Sequence, residues 1–384
     1  MNLFGDDTPE DDSFDESQNQ GVAVTASEGL VHPRMMNFCL GHEQAEKKLL
    51  AMHARGQVPH GLMFCGPKGI GKSTMAYRFA RFLLKNKPSD PGQGGFFETE
   101  TAVAETLDVS PGDPVARRVA SGGHSDLLSA ERGYDAAKNR TREILDVAEI
   151  RKVPGFLRMT AAEGGWRVVI IDDADTMNRN AQNALLKILE EPPANALLIL
   201  IAHRPGALIP TIRSRVQSMT FQPLAEDIME DLLQRSGLEA SPAELQALIQ
   251  LSDGRIGKAL QLSQESGLET FGKMLSAFET YPAWDWTGLH RLADDLGGIG
   301  RDNDFKSFQE ILRWVFARLA TAKARGQGIP ATALSRTAFE SILKNSSLEQ
   351  LLKICENLEG HFNKVNAANL DKRQAVLGAF SLIA

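Results

Sequence analysis

Ten residues constrain this chain more than any others: Phe64-Cys65-Gly66-Pro67-Lys68-Gly69-Ile70-Gly71-Lys72-Ser73. They read G-x-x-x-x-G-K-S, a loop whose backbone cradles phosphate. A phosphate chain needs several N–H groups pointing into one small space. Gly66, Gly69 and Gly71 keep that space clear of side chains and tolerate positive φ. Lys72 offers a cation to the β and γ oxygens, and Ser73 a hydroxyl for Mg²⁺. The flanks suit the loop. Gly61-Leu62-Met63-Phe64-Cys65 is the short apolar run of a buried parallel strand. Met75, Ala76, Phe79, Ala80, Leu83 and Leu84 then fall at helical spacing, ending near Asn86. That helix turns its positive end toward the loop.

A second apolar strand, Trp166 to Ile171, ends in Asp172-Asp173. A buried strand that delivers carboxylates at its C-terminal tip suits a Mg²⁺–water shell beside a phosphate loop. Between these strands, Pro88 to about Gly123 is rich in Pro, Gly, Ser, Thr and acids and too long for an ordinary connection. It reads as an insertion, partly disordered. Further on, Ile144, Val147, Ile150 and Arg151 predict a helix stopped by Pro154, with Phe156 to Ala162 as a second helical piece. His124 beside Asp126 reads as a packed or capping histidine. Ala181, Ala184, Leu185, Ile188 and Leu189 form the core-facing stripe of a helix ended by Pro192-Pro193. Ala196 to Ala202 is another fully apolar strand. Alternating strands and helices predict a parallel sheet covered on both faces, with its ligand at the strands' C-terminal edge.

After Pro223 only helical patterns remain, punctuated at Gly254, Pro282 and Gly297–Gly300. The 384 residues suffice for two or three domains. The expected division is an acidic tail over 1–28, a nucleotide-binding α/β domain over 29–221 carrying the 88–123 insertion, a helical lid over 222–282, and a helical collar over 283–384. The tail is expected to be disordered. Eight carboxylates lie within the first 30 residues, and without them the net charge of −7 becomes near neutral. The body therefore offers no global basic signal for nucleic acid. No apolar run approaches a membrane span, no secretory signal is visible, and three scattered cysteines make no metal spacing. Cytoplasmic location, no membrane and no zinc are the corresponding expectations.

The stretch Asn183-Ala184-Leu185-Leu186-Lys187-Ile188-Leu189-Glu190-Glu191-Pro192-Pro193 resembles the N-A-L-L-K-x-L-E-E-P-P signature of bacterial DNA polymerase III clamp-loader subunits, which are AAA+ ATPases. Thr211-Ile212-Arg213-Ser214-Arg215-Val216 is similar to the same family's T-I-x-S-R-C. With Gly66–Ser73 and the Asp172-Asp173 strand end, these motifs span about 150 residues. The resemblance implies an α/β P-loop (AAA+) domain with a parallel sheet, followed by an all-α lid and an all-α collar. It also implies ATP or ADP with Mg²⁺ as ligand, bound through Gly66, Gly69, Gly71, Lys72, Ser73 and Asp172, with the metal held by Ser73 and Asp172 through water.

Departures from the family's motor subunits, the gamma/tau branch, are concentrated in groups that work on the γ-phosphate. The motors end the second strand in Asp-Glu where this chain has Asp173. Their next strand ends in Ala-Thr-Thr, here Ala202-His203-Arg204. Their lid carries an arginine where this chain has Gly257. Losing one preorganised catalytic group costs about 10²–10³ in rate, so several losses together imply weak or absent turnover. Arg215 remains, and in this family that arginine reaches a neighbour's γ-phosphate as an arginine finger. This combination resembles the delta-prime, or stator, branch. It implies partnership with gamma/tau motors and a delta subunit, and with the sliding clamp and primer–template DNA through the complex. DNA contact would be to phosphates, not bases. An active motor subunit, a small-molecule kinase and a scaffold with an idle Arg215 are the alternatives.

Overall fold

The computed structural model describes residues 31–86, 104–135, 140–142, 144–264, 267–326 and 336–383. The acidic tail, with Phe4 and Phe14, lies outside them. Helix α1 (Glu43–Ala54) precedes strand β1 (Gly61–Cys65), the glycine loop and helix α2 (Lys72–Lys85). Helix α3 (Pro114–Ser121), strand β2 (Leu127–Ala130) and the short pair β3 (Tyr134–Asp135) and β4 (Arg140–Thr141) follow. Then come α4 (Val147–Arg158), β5 (Arg167–Ile171), α5 (Arg179–Glu190), β6 (Ala196–Ala202), α6 (Pro210–Arg213) and β7 (Gln217–Thr220).

The main sheet has the order β2-β5-β6-β1-β7, and every pairing is parallel. Side chains alternate across it. Leu62 and Phe64 of β1 join Met75, Phe79 and Leu83 of α2 and Leu49 of α1 on one face. Met63 and Cys65 join Ile150 and Val153 of α4 and Leu185 and Ile188 of α5 on the other. Each such fully buried aliphatic or aromatic side chain contributes about 1.5–3 kcal/mol. Continuous apolar strands are thus the expected consequence of a sheet covered twice.

Two expectations need correction. Residues 104–123 are not loose. Leu107 and Val119 are buried in the α2 face of the core, Asp108 pairs with Arg78 at 2.6 Å, and Asp113 caps α3 by accepting from the Val115 amide at 2.9 Å. The rest of that stretch lies outside the described residues. Nor does Pro154 stop a helix: α4 runs through it to Arg158. The proline removes one interior hydrogen bond, while buried Ile150, Val153 and Leu157 hold the turns on either side of it against the sheet. His124 and Asp126 are structural, as expected. Asp126 accepts from the Ala162 and Glu163 amides at 2.8 and 3.0 Å and pairs with Arg167, and His124 Nδ1 accepts from the Asp126 amide.

The all-helical part comprises α7 (Glu226–Arg235), α8 (Pro242–Ser252), α9 (Ile256–Gln264), α10 (Gly267–Phe278), α11 (Trp286–Gly297), α12 (Asp302–Arg325), α13 (Arg336–Asn345), α14 (Leu348–Ala368) and α15 (Lys372–Ser381). Reciprocal capping boxes, Ser241 with Glu244 and Ser347 with Gln350, start α8 and α14. One hydrophobic cluster runs from Leu224 to Ile383. Phe278 touches Trp284, Phe316 and Phe380 at ring distances of 5.8, 6.0 and 5.8 Å, so packing is continuous across residue 282. Asp253, at the end of α8, accepts from Trp314 Nε1 of α12 at 2.9 Å and binds Arg318.

Candidate functional site: the phosphate loop and its polar surround

β1, between β6 and the edge strand β7, enters the loop at Gly66. Gly66, Gly69 and Gly71 all have positive φ, at 148°, 81° and 100°. At Gly66 only glycine fits, because a Cβ there would stand 2.4 Å from the Phe221 carbonyl oxygen. Gly71 is the N-cap of α2 and brings no side chain to cap it. The first-turn amides of α2 are therefore left for an anion. The loop is braced from outside: buried His42 bonds the Ile70 carbonyl at 2.6 Å, and the Cys39 thiol donates to the Gly71 carbonyl at 3.7 Å. Burial pushes His42 toward its neutral form and raises the Cys39 thiol to about 12, so neither brings charge to the loop.

The strand ends deliver the remaining groups. Ser73 donates to Asp172 Oδ2 at 2.7 Å, which brings the hydroxyl and carboxylate into one place, as a Mg²⁺ shell would need. Burial, and then the charge of Asp173, raise the Asp172 pKa. Asp173 is in the left-handed region, φ 52°, and faces two cations or donors. His203 Nε2 lies 2.5 Å from its Oδ1, and Arg132 Nε 2.5 Å from its Oδ2. Burial alone would raise this carboxyl; the His203 hydrogen bond and the Arg132 charge outweigh it and hold Asp173 well below the usual carboxylate range. Such a group is a poor proton acceptor.

Lys72 is 3% exposed and its ammonium is fully engaged. It donates to the Gly66 carbonyl at 2.8 Å, the Pro67 carbonyl at 2.5 Å, and lies 2.9 Å from His203 Nδ1. Burial pulls its pKa down to about 8. Buried Asp175 in turn fixes the His203 backbone by accepting its amide at 2.9 Å. Gly257, opening α9, lies directly on the loop: its amide donates to the Gly69 carbonyl at 2.9 Å, and a Cβ there would stand 3.1 Å from Gly69 Cα. The position where the motors carry an arginine is thus taken by backbone packed on backbone.

Arg215 is elsewhere. It precedes β7, whose Gln217 is paired with Leu62 at the start of β1. Strands rise about 3.3 Å per residue, so β1 alone separates Arg215 from its own loop by roughly 13 Å. There it pairs with Glu190 at 3.0 Å and donates to the Thr211 carbonyl at 3.1 Å, with 35% of its side chain exposed.

Gly66, Gly69, Gly71, Lys72, Ser73, Asp172 and Asp173 thus converge, and Arg215 does not join them. Sequence reasoning missed Arg132. Its place comes from β2 pairing with β5, and from Glu131, which is pinned by Tyr77 at 2.8 Å, by Ser129 at 2.6 Å and by His32 at 3.0 Å. His203 was visible only as a departure from a motif, not as a bridge.

A family model described as "DNA polymerase III, delta subunit" matches residues 41–225, the span holding the loop, the carboxylates and Arg215. Among curated relatives, DNA polymerase III subunit delta' of Pseudomonas aeruginosa is 36% identical over 52% of this chain and 54% of that protein. The same subunit of Escherichia coli is 29% identical over 63% of this chain and 66% of that protein. Replication factor C small subunit 2 of Pyrobaculum arsenaticum is 25% identical over 74% and 75%. The chain therefore spans between about half and two thirds of the length of the delta' relatives it matches. No helix among the described residues is long and apolar enough to cross a membrane.

Proposed function

We propose that this chain is the delta'-type stator of a DNA polymerase III clamp loader. In that role it assists loading of a sliding clamp onto primed DNA in the cytoplasm, hydrolyses little ATP itself and lends Arg215 to a neighbouring gamma/tau-type motor. The observation that carries this reading is the unlike treatment of two groups. Asp173, beside Asp172 at the end of β5, is held anionic between His203 and Arg132. Arg215 lies at the far end of the strands from its own loop and is part exposed, which supports a role toward another protomer's phosphate rather than its own. The division into a nucleotide-binding domain to about 221, a lid to about 282 and a collar beyond belongs to the same reading. So do the delta subunit, the clamp and primer–template DNA as partners.

The loop remains fit for a phosphate: the Gly66 cradle is one that any Cβ would fill, and α2 is uncapped. Gly66, Gly69, Gly71 and Lys72 would hold the phosphates of ATP or ADP, with Ser73 and Asp172 toward Mg²⁺. A bound nucleotide would supply negative charge that offsets buried Lys72. The chain's own residues position and exclude: α9 covers the loop through Gly257, and Asp175 holds His203 in place.

The intact loop also favours the second reading, an active motor. Steady-state hydrolysis by the lone chain, with and without primer–template DNA, separates the two. Turnover at the level of AAA+ motors, abolished by Lys72→Ala, would establish the motor. Background turnover alone, together with Arg215-dependent hydrolysis in the assembled complex, is the expected result.

A further inference from the structure

We propose that His203 makes this phosphate loop selective for a nucleoside diphosphate over the corresponding triphosphate. The proposal rests on the reading of Gly66–Ser73 as a nucleotide site, but not on any role of Arg215.

A lysine ammonium has three N–H groups and no lone pair. All three on Lys72 have acceptors within the protein: the Gly66 carbonyl, the Pro67 carbonyl and His203 Nδ1. Because the ammonium can only donate, Nδ1 must be the lone-pair nitrogen. The proton then sits on Nε2 and is donated to Asp173 Oδ1. The tautomer is fixed by its neighbours: Lys72 on one side, Asp173 on the other, and Arg132 behind Asp173. The His203 amide, bound to Asp175, prevents the backbone from drifting away.

A loop lysine serves the β and γ oxygens of a triphosphate together. That demands two donors, so two internal acceptors must be displaced. A diphosphate demands one, and a loop carbonyl can yield it while His203 stays. His203 thus fills the role toward Lys72 that a γ-phosphate would otherwise take. It also turns a lone pair, not a proton, toward Lys72, so an arriving phosphate oxygen finds no donor in its place. Displacing the imidazole further strips Asp173 of a hydrogen bond. The diphosphate costs one loop carbonyl its bond to Lys72, whereas a triphosphate that takes the His203 place adds the loss of the imidazole's bonds to Lys72 and Asp173.

The test is titration calorimetry of the full chain with ADP and with ATP at fixed Mg²⁺. Wild type is expected to bind ADP at least about tenfold more tightly than ATP. His203→Ala is expected to bring the two dissociation constants within about threefold, chiefly by tightening ATP. Asp173→Asn, which weakens the anchor on Nε2, should shrink the ratio in the same direction and serves if the alanine variant does not fold. Equal or tighter binding of ATP by wild type overturns the proposal. So does an undiminished ratio in the variants, or failure of wild type to bind either nucleotide. The stator reading is judged separately, by hydrolysis in the assembled complex.

Discussion

At the C-terminal ends of β1, β5 and β6, Lys72, Ser73, Asp172, Asp173 and His203 are all engaged with one another or with loop carbonyls, and Arg132 reaches in from the end of β2. At the N-terminal ends, Arg215 is a partly exposed side chain held by one carboxylate, one carbonyl and the Ser214 hydroxyl. The first set is internally satisfied, so anything that enters it must break bonds already made. The second is held by contacts that are cheap to exchange, since an exposed ion pair is worth about 0–1 kcal/mol. A group that has to act on a neighbouring molecule belongs in the second environment. Groups that must stay still belong in the first.

The sharpest way to break this contrast is Arg215→Ala in the assembled complex. Hydrolysis by the motor subunits should fall by about 10³-fold or more if the guanidinium completes their site. The lone chain should melt as wild type within about 0.5 kcal/mol. Unchanged hydrolysis would leave Arg215 idle and the contrast without functional meaning.

The phosphate-loop end should answer in stability instead. Gly66→Ala pushes a methyl group to 2.4 Å from the Phe221 carbonyl at a φ of 148°. Backbone must move, and a loss of about 2–4 kcal/mol is expected in a denaturant melt. A loss below about 1 kcal/mol would mean the loop is far more pliable than its packing implies.

Much of this loop was legible in the sequence, for a physical reason: strand, glycines, lysine and helix are contiguous, and their periodicities announce them. The same holds for α5 and β6. What escaped was made by pairing across distance. Arg132 meets Asp173 only because β2 lies beside β5, Ala130 against Ile171. β7 is an edge strand in which Gln217, Ser218 and Thr220 are exposed and only Met219 is buried, so its pattern is polar. Residues 104–123 bury few side chains among many polar ones, which hid α3. Pro154 was given its usual weight as a helix breaker, whereas apolar contacts on both sides of it carry α4 through.

A smaller effect concerns pH. Lys72 has its folded pKa pulled down to about 8, against about 10.4 unfolded. Between those values the unfolded chain binds the proton that the folded chain has released, so stability rises with pH. The rise is bounded by about 3 kcal/mol between pH 8 and 10.4. Lys72→Met should flatten this slope relative to wild type in chemical denaturation across pH 7.5 to 10. An identical slope in both proteins would show that Lys72 is not held in the buried, triply bonded state.

The smallest effect tests the exposed end from its other partner. Glu190 is half exposed and 3.0 Å from Arg215. Glu190→Gln should change the melt by less than about 0.5 kcal/mol, because solvent screens the pair and two long side chains lose freedom in making it. If the pair merely parks the guanidinium, hydrolysis in the assembled complex should stay within about twofold of wild type, since water and the Thr211 carbonyl remain as partners. A fall comparable to that of Arg215→Ala would instead make Glu190 a positioning residue. The exposed end would then be preorganised, as the loop end is, and the difference between them would be one of solvent access alone.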